Sequence, residues 1–295
     1  WYPTAVRTGI DRKYKKYISN YGQSYGEWAE PTEVHITGFK DFACPHPEET
    51  TAYIAYMLET MAEIAEVLEK AEDKKRFSEY AEKAKIGYGK LIECPEFTLD
   101  TDRQAKLVRP LYMGLLDEKQ TEFAKKRLIT ALEHYDWRLG TGFLSTPFIL
   151  YVLENIDVEY AYKLLENEQM PGWLFMPKMN ANTIWESWEG TQAQGGIASL
   201  DHYSKGAVLE WVVSEMCGIQ VSSENEFTIA PKVGGHFTFA KCEYKSVYGT
   251  VKSDWRRENG KTVYTISVPA NTTAKVILPD GEKTLTAGEY EFTVD

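Results

Sequence analysis

Residues Trp185-Glu186-Ser187-Trp188-Glu189-Gly190 hold a carboxylate between two indoles. Indole faces stack on the apolar C–H faces of a pyranose, and a carboxylate beside them can move the proton that glycoside hydrolysis requires. The stretch lies in a segment of about 35 residues, Glu168 to His202, with no sustained helical or strand period. Segments of that length inside a compact domain are uncommon and are either functional or disordered. Two tryptophans and repeated glycines argue against disorder, which is poor in aromatics. The pattern reads as a carbohydrate site with Glu186 as its catalytic carboxylate. The plainer alternative is a surface Glu on a turn whose tryptophans only pack.

Glu189, three residues on, could share a helical face with Glu186. It is too local to act from the opposite side of a sugar ring, so a solvated or hydrogen-bonding side chain is favoured there. His202, in Asp201-His202-Tyr203, closes the segment and could donate to a sugar hydroxyl or order a carboxylate; a structural histidine reads equally well. Tyr25-Gly26-Glu27-Trp28 is a second aromatic and acidic turn, with simple packing as its alternative. Gly195-Gly196 follows no strand and is no phosphate loop. His35, His46, His134 and His236 show no metal-ligand spacing, so no metal site is expected. No Ser/His/Asp or Cys/His arrangement stands out.

The elements that must position these residues fall into two stretches. From Gly9 to about Gly218 the periodicity is helical, and from Gln220 to Asp295 it alternates as strands do. A basic, aromatic stretch from Asp11 to Tyr21 reads as a first helix. Pro47-Glu48 opens a strong one to Lys70, with Ala52, Ala55, Tyr56, Met61, Ile64, Ala65 and Leu68 as its apolar stripe and an acidic first turn that suits the helix dipole. Asp73 starts another, with Phe77, Tyr80, Ala81, Ala84 and Tyr88 on one face. Further helices are predicted at about Thr101–Leu116, Lys119–Tyr135, Thr146–Leu153, Val158–Asn167 and Ser204–Cys217, joined by short links as αα-hairpins. Thr262–Val268 and Thr273–Leu278 are strands, with turns at Glu258–Lys261 and Pro279–Glu282, and their spacing predicts an antiparallel β-sandwich.

Composition narrows the partners. The chain has 295 residues, 13% of them aromatic, with 8 Trp and 19 Tyr, which fits a stacking function. A formal charge of -11 argues against nucleic acid or an anionic membrane surface as a partner. No apolar run approaches a transmembrane length. Cys44, Cys94, Cys217 and Cys242 form no C-x-x-C pair and read as free thiols. Trp1-Tyr2-Pro3 carries neither an initiator Met nor a signal pattern, so the chain is expected to be part of something longer. The compartment is not fixed, a cytoplasmic one being slightly favoured.

Longer motifs sharpen the reading. Thr183-Ile184-Trp185-Glu186-Ser187-Trp188, then Ser199-Leu200-Asp201-His202 and Gly206-Ala207-Val208, follow the order T-x-W-E-x-W, S-x-N-H and G-A/S-V. Upstream stand Tyr25-Gly26-Glu27-Trp28, Thr141-Gly142-Phe143-Leu144-Ser145-Thr146-Pro147 and Pro171-Gly172-Trp173; downstream, Tyr248-Gly249-Thr250-Val251 with Trp255, and Val268 to Ala274. Together these resemble the α-L-rhamnosidases of glycoside hydrolase family 78, over nearly the whole chain. The resemblance implies an (α/α)6-barrel catalytic domain followed by a β-domain, and inverting hydrolysis with no cofactor. It makes Glu186 the general base, with His202, Trp185, Trp188 and Trp28 lining a rhamnose pocket. Glu27 stands where the family has Asp, and Asp201 where it has Asn.

The family's general acid lies in an upstream arginine- and acid-rich motif ending in G-W-x-G-D, which this sequence lacks. About eight helical segments are also fewer than the barrel requires. The expectation is therefore mainly α plus β: a partial α/α toroid over 1–218, the C-terminal portion of the barrel domain, then an antiparallel β-sandwich over 219–295. Such a chain is expected to need the N-terminal part of the same enzyme or to self-associate through uncovered apolar helix faces. Two other functions compete. An unsaturated glucuronyl hydrolase would need a cationic clamp for its uronate, and the Glu168–His202 segment has a single Lys before Trp185, Lys178. A non-catalytic carbohydrate-binding or structural module would need no acid at all.

Overall fold

The computed structural model describes residues 10, 12–35, 44–192 and 198–295. Trp1–Pro3, Gly9, Asp11 and Gly195-Gly196 fall outside the described residues. The chain divides into two compact units: Trp1–Val152 with Asn167–Lys205, and Leu153–Glu166 with Gly206–Asp295.

The first unit is helical. Helix α1 (Arg12–Lys15) is shorter than the predicted Asp11–Tyr21 because the main chain beyond it bonds elsewhere. Ser19 N–H donates to Thr51 Oγ1 and Ser19 O accepts from Thr50 Oγ1, at 3.0 and 2.9 Å, in place of a helical ladder. Helices α2 (Pro47–Val67) and α3 (Ala71–Leu91) form the predicted hairpin. They turn through Glu69, which takes a φ of 57°. Small residues set the packing face: α2 buries Ala52, Ala55, Ala62 and Ala65, and α3 buries Ala81, Ala84 and Gly87 beside Tyr88 and Leu91. Alanine faces let helices approach closely, so the larger side chains go to the other side. Met61, Ile64 and Leu68, predicted on the core stripe, are exposed, and so are Met57 and Tyr80. A second hairpin follows, α4 (Gln104–Tyr112) and α5 (Glu118–His134). Helix α5 starts at a reciprocal capping box in which Asp117 and Gln120 satisfy each other's main-chain N–H groups. Helix α6 (Ile149–Glu154) comes next, and the long irregular segment contains one short helix, α8 (Phe175–Lys178).

The second unit carries helix α7 (Val158–Leu165) and two four-stranded sheets. The predicted helix over Ser204–Cys217 is broken into α9 (Tyr203–Gly206), α10 (Val208–Trp211) and a π-helical turn, Val212–Met216. One cause lies in the carbonyl of Lys205, which accepts the indole N–H of Trp173 at 3.0 Å instead of continuing a helical ladder. The sheets are β1 (Ile219–Val221), β2 (Glu226–Ile229), β6 (Thr273–Leu278) and β7 (Gly281–Leu285), in the order β1-β2-β6-β7, and β3 (Phe239–Ser246), β4 (Gly249–Glu258), β5 (Lys261–Val268) and β8 (Gly288–Val294), in the order β3-β4-β5-β8. Pairing is antiparallel except between β2 and β6, which run parallel with Phe227 opposite Ala274. The parallel pair arises because β3, β4 and β5 build the other sheet before the chain crosses back to β2. Burial with a period of two gives each sheet one apolar face, as in Val251, Ser253 and Trp255 of β4 and Ala274, Val276 and Leu278 of β6. The β4–β5 hairpin turns at Asn259-Gly260, both at positive φ (51° and 80°), as the sequence there requires.

Candidate active site

The Trp185–Gly190 turn is zipped to the chain on the far side of its loop. Glu186 N–H donates to Ser199 O and His202 N–H donates to Ile184 O, each at 2.9 Å, while Thr183 Oγ1 bonds the Leu200 carbonyl. These bonds bring Glu186 and His202 into one locality. The half-buried Glu186 carboxylate accepts the main-chain N–H of Ser199 through Oε2 at 3.0 Å. It is not on a helix, so Glu189 shares no helical face with it; Glu189 is exposed.

The indoles are fixed from behind. Trp185 and Trp188 are both buried, and Trp185 N–H points at Met176 Sδ, 3.4 Å away, from α8. Gly190, at φ 50°, lies against the Trp185 ring so closely that a Cβ there would stand 2.0 Å from it. Only glycine fits. The indole N–H of Trp188 and the hydroxyl of Ser187 are buried with no hydrogen-bond partner among the described residues. Buried donors of this kind are costly unless something satisfies them.

His202 has a defined donor. Its Nδ1 accepts the main-chain N–H of Ser204 at 3.2 Å, so the neutral ring carries its proton on Nε2. The imidazole lies between Phe143, at 4.8 Å between ring centres, and Tyr203, at 5.3 Å. Asp201 is exposed, with its main chain tied to Ser199 Oγ.

Phe143 links this locality to the Trp28 turn. Phe143 N–H donates to the Trp28 carbonyl at 2.8 Å. A Cβ on Gly142 would meet that same carbonyl at 2.3 Å, which explains the glycine in Thr141-Gly142-Phe143. Trp28 is half-buried and meets Tyr25 edge-on at 6.0 Å. Glu27 does not face a cleft. Its Oε1 accepts the N–H groups of Gly142 and Ser145 at 3.0 and 2.8 Å, and its Oε2 pairs with Arg109.

Two parts of this arrangement were not read from the sequence. One is the ion cluster behind Glu27, in which Arg109 of α4 also reaches Glu48 and Glu49 of α2, at 3.1 and 3.6 Å. Burial opposes the Arg109 charge, but the carboxylates of Glu48, Glu27 and Glu49 outweigh it and hold the guanidinium well above its ordinary pKa. Burial pushes Glu48 up despite Arg109; Glu49 is held down because Arg109 and His46 outweigh its own burial. Glu48 and Glu49 were read only as a favourable first turn, and the signal for more was an Arg inside the buried Leu107-Val108-Arg109-Pro110 run. The other missed residue is Lys205, 1% exposed, whose Nζ bonds the Glu186 carbonyl and lies 4.7 Å from the Trp188 ring and 5.2 Å from that of Phe143. Burial pushes its ammonium down to about 8, against the pull of Glu186 and Glu189. Its signal was the three-residue spacing His202, Lys205, Val208, Trp211, a face whose last two members are also buried.

A helical unit that carries a carboxylate flanked by buried indoles is followed by a strand-built unit, and both parts match known glycosidase domains. Residues 4–216 match the bacterial α-L-rhamnosidase six-hairpin glycosidase domain and residues 225–293 the bacterial α-L-rhamnosidase C-terminal domain. The chain belongs to the bacterial α-L-rhamnosidase family. Among curated relatives, an α-L-rhamnosidase of Streptomyces avermitilis is 30% identical over 263 residues, covering 86% of this chain and 24% of that protein. One from Formosa agariphila is 31% identical over 281 residues, covering 88% and 30%. The structure of the Streptomyces avermitilis enzyme complexed with L-rhamnose superposes with a TM-score of 0.76 at 29% identity, over 92% of this chain and 28% of that one. The native α-L-rhamnosidase of Aspergillus terreus shares the fold, with a TM-score of 0.81 at 24% identity, over 98% and 34%. The chain thus spans about a quarter to a third of the length of these relatives.

Proposed function

We propose that this chain is the C-terminal portion of an inverting α-L-rhamnosidase, releasing terminal α-L-rhamnose from glycans or glycosides. Residues 1–218 belong to its barrel domain and 219–295 form its β-domain. Glu186 is the general base that takes a proton from the attacking water. Trp28, half-buried, and the buried indoles of Trp185 and Trp188 line the rhamnose pocket, and His202 donates from Nε2 to a sugar hydroxyl. The general acid comes from another part of the enzyme, where the family's arginine- and acid-rich motif, unmatched in this sequence, would stand.

One observation carries the reading: Glu186 is half-buried in a turn flanked by two buried indoles, and its carboxylate is held by the main-chain N–H of Ser199 at 3.0 Å. A carboxylate that only decorated a surface turn would need neither the Ser199 anchor nor the glycine at 190. The relative of known structure that binds L-rhamnose supports the choice of sugar. Charge supports a neutral one. Lys178 is paired with Glu168 at the surface at 3.0 Å, and Lys205 is buried and turned to the Glu186 main chain, so neither clamps a uronate.

The test compares turnover of an aryl rhamnoside and of an unsaturated uronide by this chain and by a longer polypeptide that includes it. Rhamnoside turnover by the longer form alone is expected. Preference for the uronide, or rhamnose binding with no turnover in either form, would overturn it.

A further inference from the structure

Lysine is almost never fully buried unless it is paired. Lys205 is 1% exposed, yet among the described residues no carboxylate lies within ion-pair distance of its ammonium. Its hydrogen-bond acceptor is the uncharged carbonyl of Glu186, and its walls are the ring faces of Trp188 and Phe143. The rings repay part of the lost hydration as cation–π contacts. They do not require a cation: a methionine would fill the same space without any desolvation. What a methionine cannot do is hold the Glu186 main chain or place positive charge near its carboxylate. The stem is set just as firmly, since the Lys205 carbonyl takes the indole N–H of buried Trp173 at 3.0 Å.

We infer that Lys205 is a positioning residue for Glu186: from its wall of aromatic rings it ties down the Glu186 carbonyl and so fixes where the carboxylate stands against the sugar. The inference rests on the reading of Glu186 as the general base. Glu186 is held on three sides, by Ser199 at its own N–H and at its carboxylate and by Lys205 at its carbonyl. Without Lys205, only the Ser199 bonds orient it. The charged groups that act on Lys205 are Glu186 and Glu189, and both favour the ammonium form that makes this bond. Misplacing a reacting group by a fraction of its reach costs rate with little change in ground-state binding.

The experiment has two arms. In the full-length enzyme carrying this chain, Lys205→Met is expected to lower kcat tenfold or more with KM within about twofold, while Lys205→Arg, which keeps charge and donors, recovers part of the loss. In the chain itself, NMR with isotope-labelled lysine should show one side-chain resonance titrating near pH 8 that is absent from Lys205→Met and moves lower in Glu186→Gln, which removes a negative charge. Unchanged kcat in a folded Lys205→Met, or equal loss in Met and Arg variants, would each overturn the inference. If Glu186→Gln itself keeps full activity, the base assignment has failed instead, which separates the two.

Discussion

The guanidinium of Arg109 and the carboxylate of Glu27 meet in an ion pair with no exposed side-chain surface on either partner, 82 residues apart in the chain. Glu27 passes that fixation on through its other oxygen to Gly142 and Ser145, and Phe143 between them carries a ring against both His202 and Lys205. The route from Arg109 to the indoles around Glu186 is thus a chain of hydrogen bonds and ring contacts. Removing Arg109 would leave Glu27, Glu48 and Glu49 buried without their shared cation. Breaking a buried pair in this way costs about 3–5 kcal/mol. Arg109→Met is therefore expected to lower the urea midpoint sharply, and Glu27→Gln, which keeps an acceptor for the two main-chain N–H groups, less so. Equal midpoints for Arg109→Met and wild type would show that the cluster does not stabilise the fold.

Gly190 offers a local test of the site. A methyl group there would need to occupy space 2.0 Å from the Trp185 ring, at a φ of 50° that L-residues avoid. Gly190→Ala should displace the indole, shift tryptophan emission and weaken rhamnose binding, with a stability loss of about 1–3 kcal/mol from overpacking. Unaltered emission and binding would mean that the turn can relax without moving Trp185.

Much of this was legible in the residues. Elements with strong periodicity, the α2–α3 and α4–α5 hairpins and strands β5 and β6, stand close to where the pattern put them. The WESW turn and His202 are held together by main-chain bonds from Glu186 to Ser199 and from His202 to Ile184. What failed is informative. A 3.6-residue stripe does not say which of two apolar faces packs inward, and in α2 the alanine face won over Met61, Ile64 and Leu68. The Ser204–Cys217 helix is interrupted near its start, where Trp173, thirty-odd residues upstream, takes the carbonyl of Lys205. Glu27, Glu48, Glu49 and Arg109 were hidden for the same reason: a buried ion cluster is assembled from three distant segments, and nothing local in any of them announces it.

Burial of Lys205 also has a pH signature. Its folded value of about 8 lies below the roughly 10.4 of an unfolded lysine. Between those values the unfolded chain binds more protons than the folded one, so stability from this residue rises with pH across the window. The difference in unfolding free energy between wild type and Lys205→Met should shift in favour of wild type from about pH 8 to about pH 10, a window of about two units inside that range. A flat difference in paired denaturation series would show an unperturbed lysine.

The exposed stripe Met57, Met61, Ile64 and Leu68 on α2, with Val67 beside it, is a surface that soluble proteins rarely leave open. The chain alone is expected to self-associate through it. Sedimentation velocity should show a concentration-dependent increase in mass that the pair Ile64→Lys and Leu68→Lys reduces. A monodisperse wild-type monomer at high concentration would count against this.

The sharpest test of the base falls between two glutamates of one turn. Glu186→Gln keeps volume and an acceptor between Trp185 and Trp188 but cannot take a proton from water. In a full-length enzyme that turns over a rhamnoside it should lower kcat by about 10²–10⁴-fold, the usual worth of a general base, while rhamnose binding largely persists. Glu189 is exposed and sits in the same turn, whereas an inverting site needs its two carboxyls about 6.5–9.5 Å apart across the bond. On the proposed inverting reading the acid comes from a distant segment, and Glu189 is expected to replace neither it nor the base. Its remaining influence is electrostatic, through Lys205, which it helps keep charged. Glu189→Gln should accordingly leave kcat within a few-fold of wild type and act mainly on the alkaline limb of the pH profile, moving it to lower pH. Equal losses for the two substitutions, or a larger one at Glu189, would place the base at the wrong glutamate.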